Sequence, residues 1–560
     1  MLRSSLILRR PATRTRILEL LDRRWPLAQQ AGHLPQVRGA GGPESQPLLW
    51  ILCLVVSLGL CLGVTRQSLW IDEATTAWLA SHQDPWRLLG TLADGREILS
   101  ESLMPLFTGY IWTWSRLFGT GEQALRAANI PFAILLVATL GWTSSRLFSR
   151  PLLWLVLCFC PFIWFYMNEA RPYVAVMACS AVALAAVLAY FADPNGYSNT
   201  APWLFFSALF VGCGFHLFGG LVIPAVIVIV LAEIRTRKHT WAGICRDWRT
   251  PLSVSLPLFL LLGGYFIWIV YRGAGGERGQ AGPGNLVFAM YEFGGFQGFG
   301  PPRNQLRADP TLHALEPYFS LLAAGTIAWL ALFALLFRRV LAKWKEDGAW
   351  RLAAALLVTI GLFFAGARAV DFRFWGRHLA ACLPLFLFAL LEAAGRPPQS
   401  KRQRAIEAAA FTLLAVAWLV SDYRLAFLPE YGKDDFRSAT SIALDEARRS
   451  GGTIVWVADG LAGRYYGLEY QRATWDAPWF VRGKAVLGKN WTRAQVAGWL
   501  ASGAHGSEII LVLSKPDLND RHGAWAAAIR SMNARRLGSA NAFDLFVLRP
   551  SPPGESEVGR

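Results

Sequence analysis

The stretch SLWIDEATTAWLA, residues 68–80, places two adjacent carboxylates, Asp72 and Glu73, directly after the first long apolar run of the chain. Charge at the end of a membrane span is costly unless it is solvated, paired or used. These residues alone leave two interpretations open. The pair is a solvated acidic turn at a helix N-terminus, where the helix dipole favours negative charge. Alternatively, one carboxylate acts as a general base or binds a cation in a partly desolvated site.

The composition is that of a membrane protein with many spans. The chain has 560 residues, of which 54% are hydrophobic and 17% are charged. Apolar runs of about 17–22 residues recur along its first three-quarters, and a helix of this length crosses a bilayer. The sequence therefore predicts a polytopic α-helical membrane protein with about eleven transmembrane helices. The predicted spans are residues 48–65, 127–147, 152–168, 172–191, 202–217, 219–234, 251–271, 317–338, 350–368, 378–395 and 405–421.

Positive charge is concentrated in the short polar connections between these runs. The net charge is +17, and basic clusters occupy residues 235–249, 338–345 and 396–404. These clusters share one side of the membrane with the arginine-rich residues 1–46, and the positive-inside rule places that side in the cytoplasm. The charge therefore indicates orientation in the cytoplasmic (inner) membrane, with the C-terminal domain extracytoplasmic, and no nucleic acid partner is expected.

The chain divides into three parts. Residues 1–46 form a cytoplasmic basic tail, residues 47–421 form the transmembrane domain with its first extracytoplasmic loop at 66–126, and residues 422–560 form a small extracytoplasmic domain. That last part alternates apolar strands such as TIVWVAD with helical patterns such as AWAAAIRSM, which is typical of an α/β domain. Residues 104–119 are predicted as an interfacial helix, because counting them as a span would move the basic clusters outside.

Further ionisable residues lie at the outer ends of the spans. NEARPY, residues 168–173, places Glu169 and Arg171 after the third span. An arginine there is either a snorkelling side chain or a phosphate ligand, for which guanidinium geometry is well suited. His216 ends the fifth span among apolar neighbours, and it is either a hydrogen-bonded core residue or a ligand.

Arg377 and His378 form another cluster of this kind near the tenth span. Asp371 is close in sequence and could pair with an arginine, so a purely structural ion pair remains an alternative. Ionisable groups thus gather at the outer ends of the spans and are nearly absent from their middles. This distribution favours a site at the outer membrane surface over a transmembrane path for ions.

Several of these motifs occur together in a recognisable order. SLWIDEATTAWLA, PLFTGY, NEARPY and FHLFGG follow one another over roughly residues 60–235. This set resembles bacterial polyprenyl-phosphate-sugar-dependent glycosyltransferases of the membrane GT-C type, relatives of protein O-mannosyltransferases and of the lipid A aminoarabinose transferase. The resemblance is weaker around FWGRHLAACLP, residues 374–384. KDDFRSATSIALDEARRSGGTIVWV, residues 433–457, is similar to the start of that group's extracytoplasmic domain.

The resemblance implies an inverting glycosyltransferase that takes a hexose or pentose from a polyprenyl-phosphate carrier. The sugar would pass to a glycan, lipid or protein hydroxyl on the outer face of the membrane. In such enzymes the Asp of the first loop is the candidate base, and it maps onto Asp72. It would take the proton of the attacking hydroxyl, while arginines would stabilise the charge on the departing lipid phosphate. The implied site residues are Asp72 and Glu73 for catalysis, Arg171, Arg377, His216 and His378 for the lipid phosphate, and Glu169, Tyr173 and Glu101 for substrate orientation.

The sequence departs from the family pattern at one position. Relatives often carry a His-Pro-Pro-Leu-Tyr-Tyr-like element before the interfacial helix, and here the histidine position is Leu103, while Pro105 and Leu106 match. Glu101 could substitute for the imidazole. The prediction is accordingly that no metal is obligatory, with a divalent cation left open.

Two other functions remain as alternatives. A lipid or glycan transporter, or flippase, would typically place polar groups on broken helices at the midplane and show internal repeats. A non-catalytic envelope assembly protein could retain a transferase-like scaffold, and it would tolerate Asp72→Asn. The spans are apolar at mid-depth and their odd number leaves a soluble domain outside, which disfavours the transporter. The co-occurrence of Asp72, Glu169 and Arg171 favours the enzyme over the assembly protein.

Overall fold

A computed structural model of the protein describes the chain from residue 45 onward. The described residues are 45–94, 100–148, 150, 152–193, 197, 199–236, 239–272, 281–309, 311–342, 350–394, 400–468, 485–502 and 508–549. The predicted cytoplasmic tail therefore lies outside the described residues, except for Ser45 and Gln46, which begin the first helix.

The described part of the membrane domain is helical, since a helix satisfies its own backbone hydrogen bonds where lipid offers none. Its α-helices are α1 (Ser45–Leu62), α2 (Ile71–Ala80), α3 (Pro85–Asp94), α4 (Pro105–Phe118), α5 (Glu122–Ala127), α6 (Ile130–Arg146), α7 (Leu153–Cys158), α8 (Pro161–Met167), α9 (Tyr173–Ala192), α10 (Ala201–Phe215), α11 (Val222–Arg235), α12 (Trp241–Tyr271), α13 (Pro283–Phe293), α14 (Arg303–Ala308), α15 (Phe319–Ala342), α16 (Arg351–Ala369), α17 (Leu383–Ala394) and α18 (Lys401–Phe427). Short 3-10 helices lie at Glu101–Leu103, Leu217–Leu221, Phe296–Gly298, Leu312–Tyr318, Gly376–Cys382 and Pro429–Tyr431.

Eight helical segments in the described part of the chain are long and apolar enough to cross a membrane. These segments are Glu122–Arg146, Tyr173–Ala192, Leu217–Arg235, Trp241–Tyr271, Leu312–Arg338, Arg351–Ala369, Gly376–Ala394 and Lys401–Phe427. Helix α10 and residues Leu49–Leu62 of α1 are shorter apolar helices. The multi-pass helical architecture predicted from the hydrophobic runs is confirmed.

Two predicted spans differ in form from the structure. Residues 152–168 are predicted as one helix, but the structure has two short helices, α7 and α8. Pro161 begins the second, because proline has no N–H to donate and cannot continue the preceding turn. The span predicted at 251–271 is longer, since α12 starts at Trp241 and includes the end of the basic cluster 235–249.

The long loop predicted at residues 66–126 contains folded helices, α2 to α5. Helix α4 corresponds to the interfacial helix predicted at 104–119. Its Trp112 indole donates a hydrogen bond to the carbonyl of His82 at 2.7 Å, and Phe107 and Ile111 are buried. These contacts hold α4 against the helix that carries the acidic pair.

The C-terminal domain is a mixed α/β sheet layer. Its helices are α19 (Phe436–Ser450), α20 (Gly460–Tyr465), α21 (Arg493–Ala501), α22 (Pro516–Asn519) and α23 (Ala524–Ser531), and its strands are β1 (Thr453–Val457), β2 (Ala485–Leu487), β3 (Ile509–Ser514), β4 (Asn533–Ala540) and β5 (Phe543–Arg549). The strand order is β2-β1-β3-β5-β4. Strand β1 pairs in parallel with β2 and β3, while β5 pairs antiparallel with β3 and β4. The small α/β domain predicted at the C-terminus is confirmed as part of the fold.

The C-terminal domain packs directly on helix α2. Ala74 of α2 is buried in the same apolar cluster as Phe436, and Ile71 packs against that cluster. The Tyr466 hydroxyl accepts the N–H of Leu69 at 2.6 Å and donates to Glu122 at 2.5 Å. The helix that carries the acidic pair is therefore held by both parts of the protein.

Close helix packing in the membrane domain requires glycine at one contact. A Cβ atom added at Gly219 would lie 2.4 Å from the backbone carbonyl carbon and oxygen of Gly212 in α10. Small residues allow such close approach of helices in membranes.

We expect Gly219→Ala to destabilise the protein by about 1–3 kcal/mol, because the added methyl group must displace backbone. Thermal unfolding of the full chain in detergent measures this effect. Gly263→Ala, also helical and with nothing within 4 Å of the added Cβ, is the matched control and should unfold no earlier than the natural protein. Equal unfolding temperatures for both variants would contradict the packing assignment.

Candidate functional site

Asp72 and Arg377 meet at the centre of the candidate site, although they are 305 positions apart in the chain. The Arg377 Nη1 donates to Asp72 Oδ2 at 2.9 Å, and the side chains are 23% exposed for Asp72 and 21% for Arg377. The Arg377 guanidinium also lies over the Trp70 ring, 5.5 Å from its centroid. Its Nε is buried without a hydrogen-bond partner. The Asp72–Arg377 pair is therefore accessible, and the Nε–H of Arg377 is still able to donate a hydrogen bond.

Arg171 approaches the same helix from the NEARPY segment. Its Nη1 donates to Glu101 Oε1 at 2.6 Å, and it lies 3.4 Å from both the Asp72 carbonyl oxygen and the Thr76 hydroxyl. The Arg171 Nε is buried and without a partner. The negative charge of Glu101 beside it raises the pKa of Arg171, so the guanidinium stays charged despite burial.

Glu101 is occupied by this pairing. Its second carboxylate oxygen accepts the hydroxyl of Ser100 at 2.9 Å. The alternative in which Glu101 substitutes for a metal-binding imidazole therefore has no support in the geometry. Among the described residues, no group of three or more His, Cys, Asp or Glu side chains could hold a metal ion.

Glu73 points away from Asp72 into a closed, fully buried site. Its carboxylate accepts five hydrogen bonds: two from Arg126 at 2.9 and 2.8 Å, and one each from the Ala170 N–H at 2.8 Å, the Lys433 Nζ at 2.9 Å and the Trp70 N–H at 3.3 Å. Arg126 and Lys433 overcome the desolvation of the carboxylate and lower the pKa of Glu73 to about 2. Glu73 therefore stays ionised, with its oxygens already engaged. The role predicted for it as a second catalytic residue does not fit this geometry, since no lone pair faces the accessible Asp72–Arg377 pair.

Two of the Glu73 partners were missed at the level of the sequence. Arg126 is fully buried, and it also donates to the backbone carbonyls of Gln67 at 2.6 Å and Ser68 at 3.0 Å. Lys433 reaches in from the C-terminal domain. A basic residue at the border of an apolar run is the signal that Arg126 offered. Lys433 begins the quoted stretch at residues 433–457, but nothing in that stretch indicates a contact with Glu73.

Glu169 is buried beside this cluster. Its backbone carbonyl accepts the Asn129 amide at 2.5 Å, and its Oε2 has no hydrogen-bond partner. Burial raises the pKa of Glu169, with the charges of Lys433 and Arg303 acting in the opposite direction. Glu169 and Tyr173 are both close enough to Arg377 to interact with it electrostatically. With Glu101 on Arg171, the structure brings all three predicted orienting residues to the site.

His216 and His378 flank the side chain of Phe218. Their ring centroids lie 5.1 and 5.2 Å from that of Phe218. In each histidine, Nδ1 accepts a backbone N–H, from Phe218 at 3.2 Å and from Trp375 at 2.9 Å. This fixes the proton of the neutral ring on Nε2. Both rings interact electrostatically with Arg171 and Arg377, so both histidines lie at the site. Each accepts a backbone N–H through Nδ1 and has an Nε2–H that can donate.

Arg303 was not singled out from the sequence but borders the same cluster. Its Nη2 donates to the buried Glu292 at 2.6 Å, and its guanidinium lies 4.4 Å from the ring centroid of Phe165. The Glu292 charge raises the pKa of Arg303. Gly376 leaves room for this pair, since a Cβ there would lie 2.2 Å from Glu292 Oε2.

Membrane-spanning helices surround this cluster of acids and arginines, and the C-terminal α/β domain packs against it. The structure is similar to that of ArnT from Cupriavidus metallidurans, in crystals bound to undecaprenyl phosphate and in the apo state. The identities are 12% and 13%, with TM-scores of 0.50 and 0.51. The likeness covers 90% and 89% of this chain and 98% and 97% of ArnT.

This likeness establishes the fold over the membrane domain and the C-terminal domain alike. No protein-family model matches the sequence. No curated protein matches it either. The resemblance in sequence motifs and the similarity in structure point to the same fold.

We expect Glu73→Gln to destabilise the protein by about 3–5 kcal/mol, because it leaves two buried cations short of a counter-charge. Thermal unfolding of purified protein at pH 7 measures the loss. Asp544→Asn, which breaks an exposed pair with Arg536, is the control and should have little effect.

The difference in stability between the natural protein and Glu73→Gln depends on pH. The pKa of Glu73 is lowered from 4.5 to about 2, so its ionisation stabilises the fold above pH 4.5 and this contribution is lost as the pH falls toward 2. The difference between the natural protein and Glu73→Gln should shrink in that window. A difference that stayed constant down to pH 2 would contradict the ion-pair assignment.

Proposed function

We propose that this protein is a membrane glycosyltransferase that moves a sugar from a polyprenyl-phosphate carrier to an acceptor hydroxyl. The transfer takes place at the outer face of the cytoplasmic membrane, inverts the anomeric configuration and uses Asp72 as the base. The observation that carries the proposal is the accessible Asp72–Arg377 pair at 2.9 Å with Arg171 beside it. A general base thus stands next to two guanidinium groups suited to a phosphate. The fold shared with ArnT, whose crystal structure contains undecaprenyl phosphate, supports this choice of donor.

The carrier phosphate takes Arg377 from Asp72 when it binds. A phosphate offers more negative charge and more acceptor oxygens than a carboxylate, and the buried Nε atoms of Arg171 and Arg377 have no partner to lose. Asp72 is then released from its ion pair. A carboxylate without its cation is a stronger base, and it gains this basicity when the donor is in place.

The transfer step is a single displacement. The acceptor oxygen attacks the anomeric carbon, Asp72 takes the hydroxyl proton, and the bond from the anomeric carbon to the phosphate oxygen breaks. The electron pair leaves with the lipid phosphate, where Arg171 and Arg377 stabilise the charge as it develops. The Nε2 protons of neutral His216 and His378 are further donors to the same oxygens.

The charge balance of the cluster favours an anionic ligand. Five cations meet five carboxylates here: Arg126, Arg171, Arg303, Arg377 and Lys433 with Asp72, Glu73, Glu101, Glu169 and Glu292. Burial favours the neutral form of Glu169. Because burial raises the pKa of Glu169 while the arginines keep their charge, the balance of the cluster is shifted toward positive charge.

We expect Asp72→Asn to lower the turnover number by at least about a hundredfold, because the amide cannot accept the proton. Turnover is measured on purified protein with a panel of undecaprenyl-phosphate sugars and acceptors. Asp371→Asn is the matched control: Asp371 is exposed with a left-handed φ of 51°, a conformation that asparagine also adopts. Binding of undecaprenyl phosphate itself should survive in Asp72→Asn and weaken in Arg377→Gln.

Full turnover by Asp72→Asn would remove Asp72 from the role of base. A flippase without transferase activity would instead move fluorescent undecaprenyl phosphate between the leaflets of a vesicle and release no transferred sugar. Such a result would replace the enzymatic proposal with the transporter alternative.

The proposed orientation predicts which surface faces the outside of the cell. Ser441, exposed on α19 of the C-terminal domain, and Cys245, exposed at the start of α12, lie on opposite sides of the membrane in this arrangement. Ser441→Cys should gain one label from a membrane-impermeant maleimide in intact cells, whereas Cys245 should react only after the membrane is breached. The reverse order would contradict the orientation.

A further inference from the structure

Lys433 is a side chain of the C-terminal domain that ends inside the candidate site. Its Nζ donates to Glu73 Oε2 at 2.9 Å and to the Asn168 carbonyl at 2.5 Å. The lysine side chain is 10% exposed and the Glu73 side chain is fully buried. Both partners are immediate chain neighbours of proposed site residues, since Glu73 follows Asp72 and Asn168 precedes Glu169.

The backbone that carries Lys433 is held by the turn between β4 and β5. The Asn541 amide donates to the carbonyls of Gly432 at 2.6 Å and Lys433 at 3.1 Å. The Asn541 carbonyl accepts the N–H of Asp435 at 2.9 Å. A lysine has a long and flexible side chain, so these contacts are what give its ammonium group a defined position.

We propose that Lys433 is a positioning residue through which the C-terminal domain sets the direction of Asp72 for sugar transfer. This inference rests on the proposed function. Asp72 and Glu73 are consecutive in the first turn of α2, where successive side chains point about 100° apart around the helix axis. Holding Glu73 between Arg126 and Lys433 fixes the rotation of that turn, and the rotation determines where the Asp72 carboxylate points.

The contact with Asn168 extends the effect to the other side of the site. The Asn168 side-chain oxygen accepts the N–H of Thr65 at 2.8 Å, so the same residue also joins the NEARPY segment to the chain leading into α2. Lys433 thus connects the helix carrying Asp72 with the segment carrying Arg171. Side chains on both segments must keep their spacing for the base and the phosphate ligands to act on one substrate.

The charge of Lys433 is sensitive to pH. The charged groups that face it are Glu73 of α2, Arg126 of α5 and Glu169 of the NEARPY segment. Burial lowers the pKa of Lys433 to about 8, with Glu73 acting in the opposite direction. Lys433 therefore loses its proton as the pH rises above about 8, and Glu73 then retains Arg126 as its cation. An arginine in place of Lys433 would keep its charge throughout this range.

The test compares Lys433→Met, Lys433→Arg and a matched control, Lys515→Met, in the full chain. Lys515 is a second lysine of the same domain and is 13% exposed. It pairs with Asp434, the residue that follows Lys433 in sequence. We expect Lys433→Met to lower kcat by about tenfold or more with undecaprenyl-phosphate sugars, while KM stays within about threefold. Lys433→Arg should recover most of the rate, and Lys515→Met should stay near the natural value.

The pH profile separates positioning from general stability. The natural protein should lose kcat as the pH rises through about 8, and Lys433→Arg should keep its rate to higher pH. Hydrogen exchange of the amides of residues 69–77 is measured in parallel. It should increase in Lys433→Met and remain unchanged in Lys515→Met.

The outcomes distinguish this inference from the proposed function. An unchanged kcat in Lys433→Met, or an equal loss in Lys433→Met and Lys433→Arg with identical pH profiles, would overturn the positioning role. If the natural protein transfers no sugar, the proposed function fails, and the exchange of residues 69–77 still decides whether Lys433 orders α2. Unchanged exchange in Lys433→Met would then overturn the inference as well.

Discussion

The buried ion cluster of Glu73, Arg126 and Lys433 is the interaction on which the arrangement of the site depends. Burial of an isolated carboxylate is strongly unfavourable, and it is tolerated only when cations lie close by and several hydrogen bonds are made. Glu73 meets this requirement with five hydrogen bonds, one of them to the Ala170 N–H beside Arg171. The first loop, the NEARPY segment and the C-terminal domain therefore cannot separate without exposing or unpairing a charge.

This constraint explains why the C-terminal domain belongs structurally to the site. Helix α2 contributes Ala74 to the apolar core of that domain, and Tyr465 donates to the Thr120 carbonyl at 2.9 Å. Tyr465 and Tyr466 thus act by packing and by hydrogen bonding to the first loop. The C-terminal domain packs over α2 and holds it in place.

Much of the fold could be predicted from the sequence, because hydrophobic length and alternation report on local burial. The apolar runs marked the membrane helices, and the strands β1, β3 and β5 were visible as apolar segments. Strand β4 was missed because it is a largely polar edge strand, and β2 because it has only three residues. The break at Pro161 was also missed, since an apolar run does not show where a helix is interrupted.

The site was predictable only where a residue belongs to a recognisable motif. Asp72, Arg171 and Arg377 were all proposed from motifs, and the structure brings them together. Lys433 was missed because its partner Glu73 lies 360 positions away in sequence. Arg303 was missed although its partner Glu292 is only 11 positions away, because no motif marks either residue. Glu73 shows a different limit: its type and position suggested chemistry, while only the packing around it reveals that its oxygens are occupied.

The two adjacent carboxylates are thus separated in role by burial. Asp72 is 23% exposed and has one cation, which the proposed donor phosphate would displace, whereas Glu73 is fully buried between Arg126, also fully buried, and Lys433, which is 10% exposed. Neighbouring carboxyl groups take different roles when their environments differ. Both carboxylates belong to the same helix turn. The buried contacts of Glu73 with Arg126 and Lys433 fix the geometry of that turn, and in the proposed function the Asp72–Arg377 pair is free to change partners. In the proposed mechanism, the donor phosphate draws Arg377 away from Asp72, so the base becomes available only when the sugar to be transferred is in place.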